Sequence, residues 1–370
     1  MLSKRQFLQA AGLSVANRIA TQGAEPAEAA RKVIIVTFGG GVRYSETFSG
    51  EGLHNIPRLA SLRGEGRFYR DCRNLGVLSH FNSTASILTG QWQRVDDFGS
   101  QPPASPTIFE AFREQRKAGP MDSWAICTNK SFASIGASIG QGANVVLPKQ
   151  LLLEAVKDVI RKGSGMGVAD RENVHRRLES ILQEGYEGVG WTVFKGGKQL
   201  DLKVRQTLIH ALVEYINGPE APTSGDELTF FITREIMREF APRVLLVNFW
   251  DMDVAHWGSY SLYLQAITRT DRLTGMLWDE VQANARYRDR TTVMVLPELG
   301  RDGDANAANG FLNHRSGDAS CRNMWMLALG AGVGRGEIER PIAHIDVAAT
   351  AAELLGVKFQ SSGRILTEIS

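Results

Sequence analysis

Two six-residue runs, Val33–Phe38 and Val244–Phe249, are apolar at nearly every position and stand more than two hundred residues apart. A short continuous apolar run suits a strand buried on both faces, because a strand with one wet face alternates polar and apolar residues. Between and after them lie stretches with helical spacing. Asn55–Leu62 and Phe109–Lys117 read as helices. Ser259–Ala283 reads as a long amphipathic one, with Tyr263, Ile267, Leu273, Leu277 and Val281 on one side. Further strands are expected at Ser123–Cys127, Thr291–Leu296 and Met324–Leu329, and a helix at Ile345–Leu355, stopped by Gly356. Strands separated by helices of this length imply an α/β fold, a mostly parallel sheet with helices on both faces.

Two segments depart from this alternation. Residues 151–240 read as mainly helical with charged faces, Arg205–Ile216 being the clearest helix. The expected organisation is therefore residues 30–148 and 241–370 as the α/β domain and 149–240 as a helical insertion or cap. Residues 1–29 carry Lys4-Arg5 before a weakly apolar run from Ala10 to Ala16, and then Ala27-Glu28-Ala29. That is the layout of a twin-arginine (Tat) export signal with lysine in the first arginine's place, and it implies a periplasmic or secreted protein. A cytosolic surface helix is the competing reading.

Charge excludes some functions. The 42 Lys and Arg stand against 40 Asp and Glu, a net charge of +2, so no basic excess argues for nucleic acid. No later stretch approaches the ~20 apolar residues of a membrane span. The three cysteines, Cys72, Cys127 and Cys321, lack metal-ligand spacing and read as small buried hydrophobes.

Sites in open α/β sheets form beyond the C-terminal ends of strands. Three expected strands end in glycine or polar sequence: Gly39-Gly40-Gly41-Val42-Arg43, Asp251-Met252-Asp253-Val254-Ala255-His256, and Glu298-Leu299-Gly300-Arg301-Asp302. Two carboxylates and an imidazole within six residues can chelate zinc or manganese. His314 is a second candidate imidazole. Arg301 and Arg315 can hold an anion through two hydrogen bonds. Read without the other strand ends, Asp253 would only cap a helix and the 302–318 segment would be a solvated loop. His344 and His210 read as structural.

The order of these segments resembles the alkaline-phosphatase and sulfatase-like superfamily, and within it a branch of Tat-exported, sulfatase-like bacterial proteins of unassigned activity. The resemblance rests on Val36–Gly41, Ser86-Ile87-Leu88-Thr89-Gly90, Asp251–His256, Glu298–Arg301, His344–Thr350 with Leu354-Leu355-Gly356, and Gly363–Leu366. It implies two metal sites flanking a nucleophile. One takes an Asp and a His from the Asp251–His256 segment, with Asp251 and Asp253 both open as the carboxylate, and His314 as the late histidine. The second would need an Asp after the first strand and an Asp-His pair later; this chain has Gly39 or Gly40, Glu298 and Leu299 there. The resemblance thus implies one site kept, with one divalent ion, and the other eroded or rebuilt. Counting back from Gly90 places His80 at the nucleophile position, with Ser79 beside it. The function implied is a metal-dependent hydrolase of a small phosphate or sulfate ester, with Ser79, His80 and Arg301 catalytic, Arg43 and Arg315 binding the anion, and Asp251, Asp253, His256, Glu298 and His314 as metal ligands. A catalytically degraded exported binding or scaffold protein on the same fold is the alternative.

Overall fold

The computed structural model describes residues 30–96, 100–152, 208, 223–304 and 310–369. They form a sheet of nine strands: β1 Lys32–Phe38, β2 Arg67–Arg73, β3 Ser123–Cys127, β4 Asn144–Val146, β5 Val244–Phe249, β6 Thr291–Pro297, β7 Asn323–Gly330, β8 Gly336–Ile338 and β9 Ile342–Ala343. The strand order is β4-β3-β5-β1-β6-β7-β2-β8, with β9 also on β2. All pairings are parallel except the two that β7 makes, with β6 and with β2.

The apolar runs form the middle of this sheet. Every residue of β1, β5 and β6 is buried. Alternate side chains feed two cores, as the period of two in a strand requires. On one face Ile34, Val36 and Phe38 pack with helices α1 (Pro57–Leu62), α4 (Gly225–Phe240) and α5 (Tyr260–Ala283). On the other, Val33 and Ile35 pack with α2 (His80–Thr89), α3 (Ile108–Gln115) and α6 (Asp346–Leu355). The expected strands and helices appear within a few residues of their sequence bounds. Of the expected Arg205–Ile216 helix only the buried Leu208 is described; residues 153–207 and 209–222 lie outside the described residues. Within the segment 149–240, the described helix α4 packs its buried residues Leu228, Ile232 and Ile236 into the same core as β1 and β5.

Asp271, in α5, reaches across to the start of α1. Its carboxylate accepts the backbone N–H groups of Arg58 at 2.9 Å and Leu59 at 2.8 Å. Those are amides that a helix start leaves without internal partners, and the N-cap residue Ile56 has no side chain to serve them. Asp271→Ala is therefore expected to lower stability by about 1–2 kcal/mol, as loss of an N-cap does. Asp271→Asn, which keeps one acceptor, should lose less. Urea denaturation of the two variants measures the difference, and equal losses would contradict the capping role.

Register fixes where loops emerge. Phe38 of β1 lies level with Phe249 of β5 and with Pro297 of β6. Cys127 of β3 lies beside Asn248. Arg73, the last residue of β2, pairs with Asn323, the first of the reversed strand β7. The segments after β1, β2, β5 and β6 therefore all leave the same edge of the sheet.

Candidate metal centre

At that edge four side chains from three of these segments converge. His80 opens α2, just after β2. Asp253 and His256 lie on a turn of 3-10 helix, Asp251–Trp257, that continues from β5. His314 lies between β6 and β7. One ligand atom from each of the four lies within 4.8 Å of all the others. His256 Nε2 is 3.1 Å from Asp253 Oδ1 and 3.1 Å from His314 Nε2, and His80 Nε2 is 3.4 Å from Asp253 Oδ1.

Local sequence explains the convergence. Gly40 has φ +82°, and a Cβ there would stand 2.4 Å from the backbone nitrogen of Asp253. Glycine is what lets the β1 loop and the β5 turn come together. The 3-10 turn, with three residues per turn, puts Asp253 and His256 on one side, three positions apart. α2 is buried along its whole length although six of its ten residues are His, Asn, Ser or Thr. Ser86 and Thr89 donate to the carbonyls of Asn82 and Ala85, so their hydroxyls are satisfied inside the helix itself.

A second set of groups holds these four. Glu298, fully buried, takes the Nδ1 side of His80 at 2.5 Å. The same carboxylate accepts from the Gly40 amide at 2.9 Å, the Thr84 hydroxyl at 2.9 Å and the Asn248 amide at 3.2 Å. This arrangement fixes the imidazole so that Nε2 faces the cluster, the way a carboxylate orients a ligating histidine. Arg301 is fully buried; it donates to Asp253 Oδ1 at 2.9 Å, to the Gly41 carbonyl at 3.1 Å, to the Phe311 carbonyl at 3.1 Å, and to the Gly40 carbonyl.

Charge in the cluster is sharply divided. Burial opposes a charge on His80, but the carboxylates of Asp253 and Glu298 outweigh it and raise the imidazole to about 9. Burial, reinforced by the His80 and Arg301 charges, holds His314 well below the usual histidine range. Asp253 stays far below the usual carboxylate range despite its burial, because His80, His256 and Arg301 surround it. Among the described residues, His314 Nδ1 is buried without a hydrogen-bond partner. Three imidazoles and one carboxylate within such a span are a donor set that suits a borderline divalent ion.

The other expected site residues stand as follows. Asp251 lies outside the group of four; one of its oxygens meets the Asp226 amide at 3.2 Å and the Arg269 guanidinium at 3.1 Å. Glu298 sits one layer behind, through His80. The Arg43 guanidinium is bound by Glu46, by Asp304 at 2.5 Å and by the Asp302 carbonyl at 3.1 Å, with only 5% of the residue exposed. Ser79 is buried, and its hydroxyl accepts from Asn82 at 2.9 Å. Arg315 is exposed, one residue beyond His314. Sequence reading did not single out Asp226. Its carboxylate accepts from the amides of Trp250 at 2.6 Å and Asp251 at 3.0 Å, and so anchors the start of the 3-10 turn. It sits in the first turn of α4, where an acid reads as an ordinary solvated helix start.

No protein-family profile and no curated protein matches the chain in sequence. Solved structures match it in fold. A protein of the alkaline phosphatase superfamily from Vibrio parahaemolyticus aligns over 99% of this chain and 79% of its own, with a TM-score of 0.57 and 15% identity. A mutant of the alkaline phosphatase PafA aligns over 94% and 100%, with a TM-score of 0.59 and 12% identity. A phosphonate monoester hydrolase from Silicibacter pomeroyi aligns over 91% and 76%, with a TM-score of 0.57 and 13% identity. The chain therefore has the alkaline-phosphatase-like α/β fold.

Proposed function

We propose that this chain is a metal-dependent hydrolase of a phosphate or sulfate ester, working with one bound divalent ion. The observation that carries the reading is the convergence of His80, Asp253, His256 and His314 within 4.8 Å at the strand ends of this fold. The fold's solved representatives include an alkaline phosphatase and a phosphonate monoester hydrolase, which lends support to ester cleavage but does not choose the substrate.

Support for a single ion comes from the neighbouring positions. Leu299 is buried among Leu78 and Cys321, and Gly40 offers only its backbone. The guanidinium of Arg301 lies against Asp253 and gives that carboxylate a fixed positive partner from the protein itself. The chemistry a bound ion supplies is Lewis-acid polarisation of an ester oxygen. In this reading Glu298 orients His80, Arg301 keeps Asp253 ionised and in place, and Ser79, adjacent to His80, is the attacking hydroxyl. Among the described residues no helix is long and apolar enough to cross a membrane. The Lys4-Arg5 segment and Ala27-Glu28-Ala29 support export from the cytoplasm.

The test is turnover of a simple aryl phosphate and an aryl sulfate by protein loaded with zinc or manganese. Cleavage of either is expected, abolished by a chelator and reduced at least about 100-fold in Ser79→Ala, the scale on which loss of a nucleophile acts. Full activity in Ser79→Ala would remove that residue from the role. Loaded protein that cleaves neither ester would favour an exported binding protein on the same fold.

A further inference from the structure

Asp226 is the second residue of α4, where a helix leaves its amides without internal partners. It is fully buried, and its carboxylate serves other segments. Each oxygen accepts two hydrogen bonds. Oδ1 takes the Trp250 amide at 2.6 Å and the Thr128 hydroxyl at 2.8 Å. Oδ2 takes the Asp251 amide at 3.0 Å and the Thr270 hydroxyl at 3.2 Å. Asp251 returns the contact, because its Oδ2 accepts the Asp226 amide at 3.2 Å. The start of α4 and the start of the 3-10 turn thus satisfy one another's amides, as a capping box does within one helix. Gly225 permits the approach: a Cβ there would stand 2.4 Å from the Lys149 side chain and 2.8 Å from that of Thr128.

This clasp bears on three of the four cluster residues. Trp250 donates its amide to Asp226, and its carbonyl accepts the Asp253 amide at 3.0 Å. His256 lies three residues further along the same short turn. The Trp250 ring packs on the His80 imidazole, with centroids 4.3 Å apart. A binding site works only when its donors are held to within about 0.5 Å of the productive geometry, and groups behind the ligands set that tolerance.

We infer that Asp226 is a positioning residue for the metal centre, and that through it ion binding is coupled to the order of the first turn of α4. The inference rests on the single-ion reading of the cluster but not on ester hydrolysis. Asp226 acts through the Trp250 and Asp251 amides and is not itself a ligand. Such coupling is reciprocal: a clasp that tightens ion binding is tightened by the ion in the same proportion.

The experiment measures the zinc dissociation constant of the full chain against a competing chelator, for wild type, Asp226→Asn and Asp271→Ala. Asp226→Asn replaces one accepting oxygen with an amide nitrogen that only donates. It is expected to bind zinc at least about tenfold more weakly, the scale on which loss of a group behind a metal ligand acts. Asp271→Ala removes a buried carboxylate that serves the start of α1 instead, and should bind zinc as wild type does. Hydrogen exchange over residues 224–229, read by mass spectrometry, should slow on zinc loading of wild type by more than exchange in the first turn of α1. Equal zinc affinity in wild type and Asp226→Asn, an equal loss in Asp271→Ala, or no added slowing at residues 224–229 would overturn the positioning role. Wild type that binds no zinc would remove the metal centre and the positioning role together. Zinc binding without ester cleavage would remove the hydrolase reading alone.

Discussion

Arg301→Met is expected to cost about 3–5 kcal/mol of stability, the scale on which breaking one partner of a buried ion pair acts. The cause is local. Asp253 is 2% exposed and held ionised; its partners are His80, His256 and the Arg301 guanidinium. Methionine keeps the length of the stem but removes the cation and the donors to three carbonyls, those of Gly40, Gly41 and Phe311. Lysine would not restore them, since one ammonium cannot span four acceptors lying on three segments. The loss should be measured by urea denaturation in the presence of chelator, so that metal binding does not add to the native state's stability. Adding Asp253→Asn removes the uncompensated charge, so the double variant should lose less than the sum of the single losses. Additive losses, or a loss under about 1 kcal/mol for Arg301→Met, would contradict the role of Arg301 as the cluster's fixed counter-charge.

The second large effect concerns His344, which is wholly buried with neither ring nitrogen hydrogen-bonded among the described residues. Burial drives its imidazole down from 6.5 to about 3. The native protein therefore refuses a proton that the unfolded chain accepts below about pH 6.5. Between those two values the unfolded state binds more protons, so stability rises with pH and is lost as pH falls. At pH 4.5, two units below the unfolded value, the loss attributable to this one residue is about 3 kcal/mol. His344→Phe, similar in shape and unable to titrate, should show a difference in stability between pH 7.5 and pH 4.5 that is smaller than wild type's by about that amount. An unchanged pH dependence in this variant would mean that His344 is protonated in the native state.

Much of this fold could be read from the chain because its central strands are continuous apolar runs. Val33–Phe38 and Val244–Phe249 are buried on both faces, as their continuous apolar sequence implies. The placement of candidate residues beyond strand ends followed from the same feature. What the chain hid has physical reasons. β2, Arg67–Arg73, carries three arginines and an aspartate, and a register shift between Tyr69 and Cys72 breaks its alternation. Much of α2 is polar, with hydroxyls and amides satisfied within the helix and by its neighbours, so only Phe81, Ala85, Ile87 and Leu88 give its burial an apolar signature. That helix is what brings His80 to the cluster. The choice between Asp251 and Asp253 needed the 3-10 turn, which sends one carboxylate to His256 and the other back toward Asp226 and Arg269. Arg43 showed only a cation near a strand end; its engagement with Glu46 and Asp304 depends on a helical turn and a loop from elsewhere in the chain.

The measurement that bears most directly on the metal centre is ion stoichiometry by mass spectrometry after loading with zinc or manganese and exhaustive dialysis. Wild type is compared with His256→Ala and His314→Ala. One equivalent is expected in wild type and well under half an equivalent in either variant, with all three proteins folded. No retained ion in wild type, or equal retention in the variants, would contradict a single-ion centre.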